Sequence, residues 1–159
     1  MKLSFSPERP EHCPAGVWAI QQELLARAEA LLGQRDRSKI ICQPIFVENG
    51  PNTPDLSGAF AALSMRAAGY WPTVVYELAH ETVHLLNPVE GYTNWLEEGV
   101  AEAFAVEMSR ILTTHPITTD ASYPAYVEAL ALVRRASRLM FRRCQGGASR
   151  RGGNVRSAR

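Results

Sequence analysis

Two histidines separated by three residues, His80 and His84, carry the strongest chemical signal in the chain, within the sequence HETVH. On a helix, residues i and i+4 share a face, so both imidazoles can hold one metal ion. Glu81 follows the first histidine and would act as a general base on the water that such a metal activates. The pattern predicts a catalytic metal centre, and the alternative is a helix with two surface histidines.

A second helix after this motif carries an adjacent pair of glutamates, Glu97 and Glu98. One carboxylate of the pair would complete a three-ligand site and leave a fourth position for water, which distinguishes catalytic from structural zinc. Asn94 is the predicted N-cap of this helix with Glu97 as its capping-box partner, which leaves Glu98 as the third ligand. Glu102, one turn later, is predicted to accept a hydrogen bond from the free ring nitrogen of a ligand histidine, and the alternative is a solvated helix charge.

The flanking sequence predicts where the two site helices begin and end. Pro72 suits the first turn of the HETVH helix, and Asn-Pro at 87–88 ends it. This helix is predicted to be amphipathic, with an apolar stripe formed by Val75, Leu78, Ala79, Thr82 and Leu86. Glu77 is predicted to lie on the opposite side, with the ligands and facing the site. The glutamate helix is predicted over residues 94–112.

Elements before the motif are predicted from breakers and periodicity. A helix is expected over residues 14–32, because Pro14 suits its start and Gly33 its end. The clearest strand covers residues 39–47, and Pro44 inside it indicates a sheet edge or a bulge.

Other segments are less strongly patterned. Residues 56–65 are predicted as a second strand, although their apolar residues also fit a helical period. A last helix is expected over residues 124–143. Residues 145–159 are rich in glycine, serine and arginine and are predicted to be a disordered tail on a single domain at 1–144.

Composition narrows the class of protein. A length of 159 residues with 46% hydrophobic content fits one domain with a packed core. The three cysteines are widely spaced and form no metal motif, which favours a reducing, cytoplasmic location. The first residues lack the apolar region of a signal peptide, and no apolar run is long enough to span a membrane.

Charge is unevenly distributed along the chain. From Arg134 onward there are nine arginines and no acidic residue, so the remainder holds eight of the 17 basic residues against all 16 acidic ones. A basic end of this kind can be a solvated helix end and tail or a contact for nucleic acid. No aromatic residue follows Phe141 to stack on bases, so nucleic acid is not the predicted partner.

HETVH followed by WLEEGVAEAF resembles the gluzincin group of zinc metallopeptidases over residues 72–108. Gluzincins carry HExxH on one helix and a glutamate ligand, from an xEG or NExxxD/E element, on the next. The resemblance also assigns the third ligand to Glu98. It implies one Zn²⁺ per chain, a peptide or protein substrate, and an α+β, zincin-like fold with a small sheet packed on three to four helices.

Two further expectations come from this resemblance. Gluzincins pair an extended substrate with the edge strand that precedes the HExxH helix, and residues 57–65 are the candidate here. They also use a tyrosine or histidine to stabilise the oxyanion of the tetrahedral intermediate. Tyr123 is preferred because it opens the helix after the glutamate helix, and the other candidates are Tyr92, His115 and Tyr126.

The predicted activity is zinc-dependent peptide hydrolysis. Glu81 would take a proton from the attacking water and return it to the leaving amine. The alternative is a catalytically weak zinc-binding regulatory or protein-interaction module on the same fold, which the small number of predicted strands favours. Glu81 favours the enzyme, because a purely structural site has no use for a general base.

Overall fold

A computed structural model describes residues 2–48, 58–89, 94–119 and 124–135 of the chain. Its elements, in chain order, are a 3₁₀ turn (Pro10–His12), α1 (Pro14–Leu32), β1 (Ile45–Val47), β2 (Ala62–Ser64), α2 (Met65–Ala68), α3 (Trp71–His84) and α4 (Trp95–Leu112), and residues 124–135 are helical. The predicted α+β class is confirmed. The predictions for Tyr92, Tyr123 and the tail at 145–159 lie outside the described residues.

Helix α1 follows the predicted limits because its signals are local. Pro14 occupies the first turn, where the missing N–H costs nothing. Gly33 ends the helix with φ of 119°, a conformation that other residues adopt only with strain. Val17 and Leu24 are among the residues that α1 buries in the core.

The small sheet has two strands, as predicted, but both are shorter than expected, and they are parallel in the register Ile45↔Ala62. The strand expected over residues 39–47 is regular only at its end, preceded by an isolated bridge between Ile41 and Ala59. Pro44 lies between the two paired parts, and it has no N–H with which to continue a ladder. The second predicted strand is confirmed over three residues, after which the chain turns into α2.

Helix α3 is the central element, and it is buried on nearly all sides rather than amphipathic. It packs mainly against α4 and also against α1, α2 and β2. The prediction that Glu77 faces the site is wrong. Its carboxylate accepts hydrogen bonds from the Ser64 N–H at 2.8 Å and from the Ser64 hydroxyl at 2.5 Å, and so joins α3 to β2. Burial raises the pKa of Glu77.

The start of α3 is anchored by Trp71, which is buried. The Phe5 ring stacks on the indole ring with 5.6 Å between the ring centroids. The indole N–H donates hydrogen bonds to the main-chain carbonyls of Ser6 and Glu8. The N-terminal segment is therefore fixed to the helix that carries the histidines. Trp95, at the start of α4, is by contrast 53% exposed.

The same N-terminal segment contacts the end of α4. The Leu3 N–H donates to the Leu112 carbonyl at 2.8 Å, and the Lys2 ammonium group binds the carbonyls of Arg110 and Thr113. A cation is favourable there because the last carbonyls of a helix carry partial negative charge. The start of α3 and the end of α4 are thus tied to one segment.

Two expectations from composition can be compared with the structure. Cys13 and Cys42 are free, and the third cysteine lies outside the described residues. Within the part of the chain that is described, no helix combines the length and the apolar content needed to cross a bilayer.

Candidate metal centre

Helices α3 and α4 bring together the three residues predicted as ligands. Potential ligand atoms of His80, His84 and Glu98 all lie within 4.8 Å of one another. The Glu98 carboxylate is 3.2 Å from His80 Nε2 and 3.6 Å from His84 Nε2. Around a tetrahedral zinc with bonds of ~2.0–2.1 Å, ligand atoms are separated by about 3.4 Å. The two Glu98 distances fall on either side of that value, so this group could hold a metal ion.

The start of α4 positions the glutamates. Asn94 is the N-cap, as predicted, because its side-chain oxygen accepts hydrogen bonds from the N–H groups of Leu96 and Glu97, each at 3.0 Å. The Glu97 carboxylate makes a contact that the capping-box prediction missed. It lies 3.0 Å from His84 Nδ1, the ring nitrogen opposite the proposed ligand atom. The position of α3, which is not a local property of the sequence, decides this contact.

His80 has a corresponding carboxylate on its other ring nitrogen. Glu102 Oε2 lies 3.5 Å from His80 Nδ1, and Glu102 Oε1 accepts a hydrogen bond from the Tyr76 hydroxyl at 2.6 Å. Both histidines are thus flanked by carboxylates at both ring nitrogens. An anionic partner on Nδ1 fixes the orientation of an imidazole and raises its basicity as a metal ligand.

The carboxylates around the site favour the positively charged form of His80. Burial lowers the pKa of His80, but the carboxylates of Glu102 and Glu98 outweigh burial and raise the pKa to about 10. For Glu102, burial raises the pKa, but the contact with His80 is among those that reverse the effect and leave it below its usual value. Metal ligands must be deprotonated, so metal binding has to release the proton of His80.

Of the three proposed ligands, Glu98 is the most exposed in the described part of the chain. The Glu98 side chain is 23% exposed, whereas Glu102 is 1% exposed. Glu81 is also buried, and its negative charge acts on the adjacent His80. Within the described residues, the group is therefore most accessible to solvent at Glu98.

Of the two candidates for an oxyanion donor that lie in the described residues, Tyr126 is beside the site. Its ring centroid is 5.4 Å from that of His80, with the rings at 66° to each other. His115 instead lines a surface cavity with Trp71 and Pro72 at the start of α3. That point is about two helical turns from His80, or about 12 Å along the axis.

Gly99, directly after the proposed ligand, is required by a close approach of two backbones. A Cβ at this position would lie 2.3 Å from the Ala129 carbonyl oxygen and 2.7 Å from Val133 Cγ2. The helix at 124–135, which also carries Tyr126, can therefore lie directly on α4. Sequence reasoning missed this contact, although glycine inside a helix is a signal of close packing.

We expect Gly99→Ala to lower the free energy of unfolding by about 1–3 kcal/mol, because overpacking against a backbone carbonyl cannot be relieved by a side-chain rotation. The measurement is chemical denaturation followed by circular dichroism. Gly69→Ala is a matched control, since its Cβ would meet only the flexible guanidinium group of Arg9, at 3.2 Å. Unchanged or increased stability of Gly99→Ala would contradict the described docking of the 124–135 helix.

Comparisons with protein-family models, with curated proteins and with solved structures find no match to this chain. The chemistry of the site is therefore inferred from the side chains of α3, α4 and the helix at 124–135.

Proposed function

We propose that this chain is a zinc-dependent peptide hydrolase of the gluzincin type. The observation that carries the proposal is the convergence of His80, His84 and Glu98 on one point, with Glu81 next to the first histidine. Two nitrogens and one carboxylate oxygen match the ligand set of catalytic zinc sites, which keep a further position open. The exposure of Glu98 agrees with such an open position.

In this mechanism a water molecule attacks the carbonyl carbon of a peptide bond. A bound Zn²⁺ would supply Lewis-acid chemistry, since it acidifies water and polarises a carbonyl oxygen. The Glu81 carboxylate accepts the proton that the attacking water loses. It then donates this proton to the amide nitrogen as the C–N bond breaks.

Among the described residues, Tyr126 is the proposed oxyanion donor, while Tyr123, the residue preferred from the sequence, lies outside them. Tyr126 lies on a helix that packs against α4, and its ring is in contact with that of His80. A phenol hydroxyl near the metal can donate a hydrogen bond to the oxygen on which negative charge develops. Tyr126 would thereby stabilise the transition state more than the substrate.

Elemental analysis and a peptide-library assay test this function together. We expect untagged protein to hold one zinc per chain and to cleave members of a fluorogenic peptide library. Treatment with 1,10-phenanthroline should abolish cleavage, and added Zn²⁺ should restore it. Protein that holds no metal after incubation with Zn²⁺ would overturn the proposal.

A second candidate function is a zinc-binding regulatory or protein-interaction module, and the structure of β2 favours it. The Ser64 N–H is already bonded to Glu77, and Ala62 is 2% exposed. At these two positions β2 has little capacity to pair with an extended substrate, which would need free backbone groups at the strand edge. Bound zinc without hydrolysis of any library peptide would support this candidate over the enzyme.

A further inference from the structure

The Glu102 carboxylate is fixed between two side chains of α3 that are one helical turn apart. Its Oε1 accepts the hydrogen bond from the Tyr76 hydroxyl at 2.6 Å, while its Oε2 lies 3.5 Å from His80 Nδ1. Tyr76 and His80 are related by i, i+4 spacing, so both project from the same side of α3 toward α4. Each carboxylate oxygen is therefore held by a different residue of that helix.

The two contacts differ in length, and the shorter one involves the tyrosine. A distance of 2.6 Å is typical of a charge-assisted hydrogen bond from a hydroxyl to a carboxylate. The contact to His80 is nearly 1 Å longer. The hydroxyl of Tyr76 is thus the tighter of these two restraints on a carboxylate that is 1% exposed.

We propose that Tyr76 is a positioning residue of the metal centre, which acts on His80 through Glu102. The inference rests on the proposed metal binding by His80, His84 and Glu98. Without the hydroxyl, Oε1 of Glu102 loses its hydrogen bond from Tyr76 in a buried environment, and the carboxylate is held less firmly beside Nδ1. The His80 ring then loses the contact that aims its Nε2 at the metal position.

Tyr76→Phe tests this role because it removes one oxygen atom and preserves the ring. We expect the affinity for Zn²⁺, measured by competition with a chromophoric chelator, to fall about 10-fold, at the lower end of the 10–100-fold effect of residues that orient metal ligands. The visible absorption of Co²⁺-substituted protein should also change, since it reports the ligand field directly. Tyr70→Phe is the matched control, because Tyr70 is exposed and makes no side-chain cap to α3.

A double-mutant cycle with Glu102→Gln distinguishes positioning from general packing. If Tyr76 acts through Glu102, Tyr76→Phe should lower zinc affinity only slightly in the Glu102→Gln background. The effects of mutating two interacting residues are not additive. Equal losses in both backgrounds would overturn the proposed relay. The same conclusion would follow if Tyr76→Phe lowered the melting temperature but left zinc affinity and the Co²⁺ spectrum unchanged.

These readouts do not depend on peptidase activity. A wild-type protein that binds zinc without hydrolysing peptides would leave the role of Tyr76 in place while overturning the proposed reaction. A wild-type protein that binds neither Zn²⁺ nor Co²⁺ would overturn both.

Discussion

Replacing Glu81 by Gln is expected to leave zinc bound and to lower peptide hydrolysis by about 10²–10⁴-fold, the usual contribution of a general base. Glutamine has nearly the same size and shape, but its amide cannot accept the proton of the attacking water. The site geometry should persist, since the three proposed ligands are other residues. The measurement is kcat/KM on the best library peptide, with zinc content determined on the same sample.

Glu107→Gln is a suitable control for the glutamate-to-glutamine change. Glu107 lies on the outer side of α4 and is paired with Arg110, away from the metal centre. It should retain wild-type hydrolysis. Full activity of Glu81→Gln would contradict the mechanism, even if zinc binding were established.

Removing any of the three proposed ligands is expected to abolish stoichiometric zinc. His80→Ala and His84→Ala each leave one histidine, and Glu98→Ala removes the residue that contacts both. Two remaining ligands do not make the three-residue site that catalytic zinc requires. Zinc per chain after dialysis, measured by elemental analysis, checks this prediction.

A variant of Glu97 shows which of the two adjacent glutamates, Glu97 or Glu98, binds the metal. Because Glu97 contacts Nδ1 of His84 and not the proposed ligand atom, Glu97→Ala should retain zinc with an affinity reduced by about 10–100-fold. The assignment would be reversed if Glu98→Ala kept full zinc occupancy while Glu97→Ala lost it.

The sequence correctly predicted the helix ends that depend only on residues close to them in the chain. The proline at the start of α1 and the glycine after it act within a single turn, as does the side chain of Asn94 at the start of α4. The sequence also predicted that the two ligand histidines lie together, because i, i+4 spacing places two residues on one face of any helix. These features need no knowledge of how the helices cross.

Features that depend on distant parts of the chain were missed. Glu77 has the same polarity as the ligand residues, but its partner is Ser64 in β2. Gly99 is explained by Ala129, thirty residues later in the chain. Periodicity assigns a residue to a side of its helix, whereas the crossing of helices determines which neighbour that side meets.

The proposed metal ligands are close along the chain as well as in space, which has a consequence for the order of folding. His80 and Glu98 are 18 residues apart, so joining them closes a short loop at a small entropic cost. The hydrogen bond between Leu3 and Leu112 instead closes a loop of more than 100 residues. Local contacts form early, so a metal that binds as soon as α3 and α4 pair adds its binding energy at that step. Zinc present during refolding should therefore accelerate the pairing of α3 with α4, with the N-terminal segment docking last.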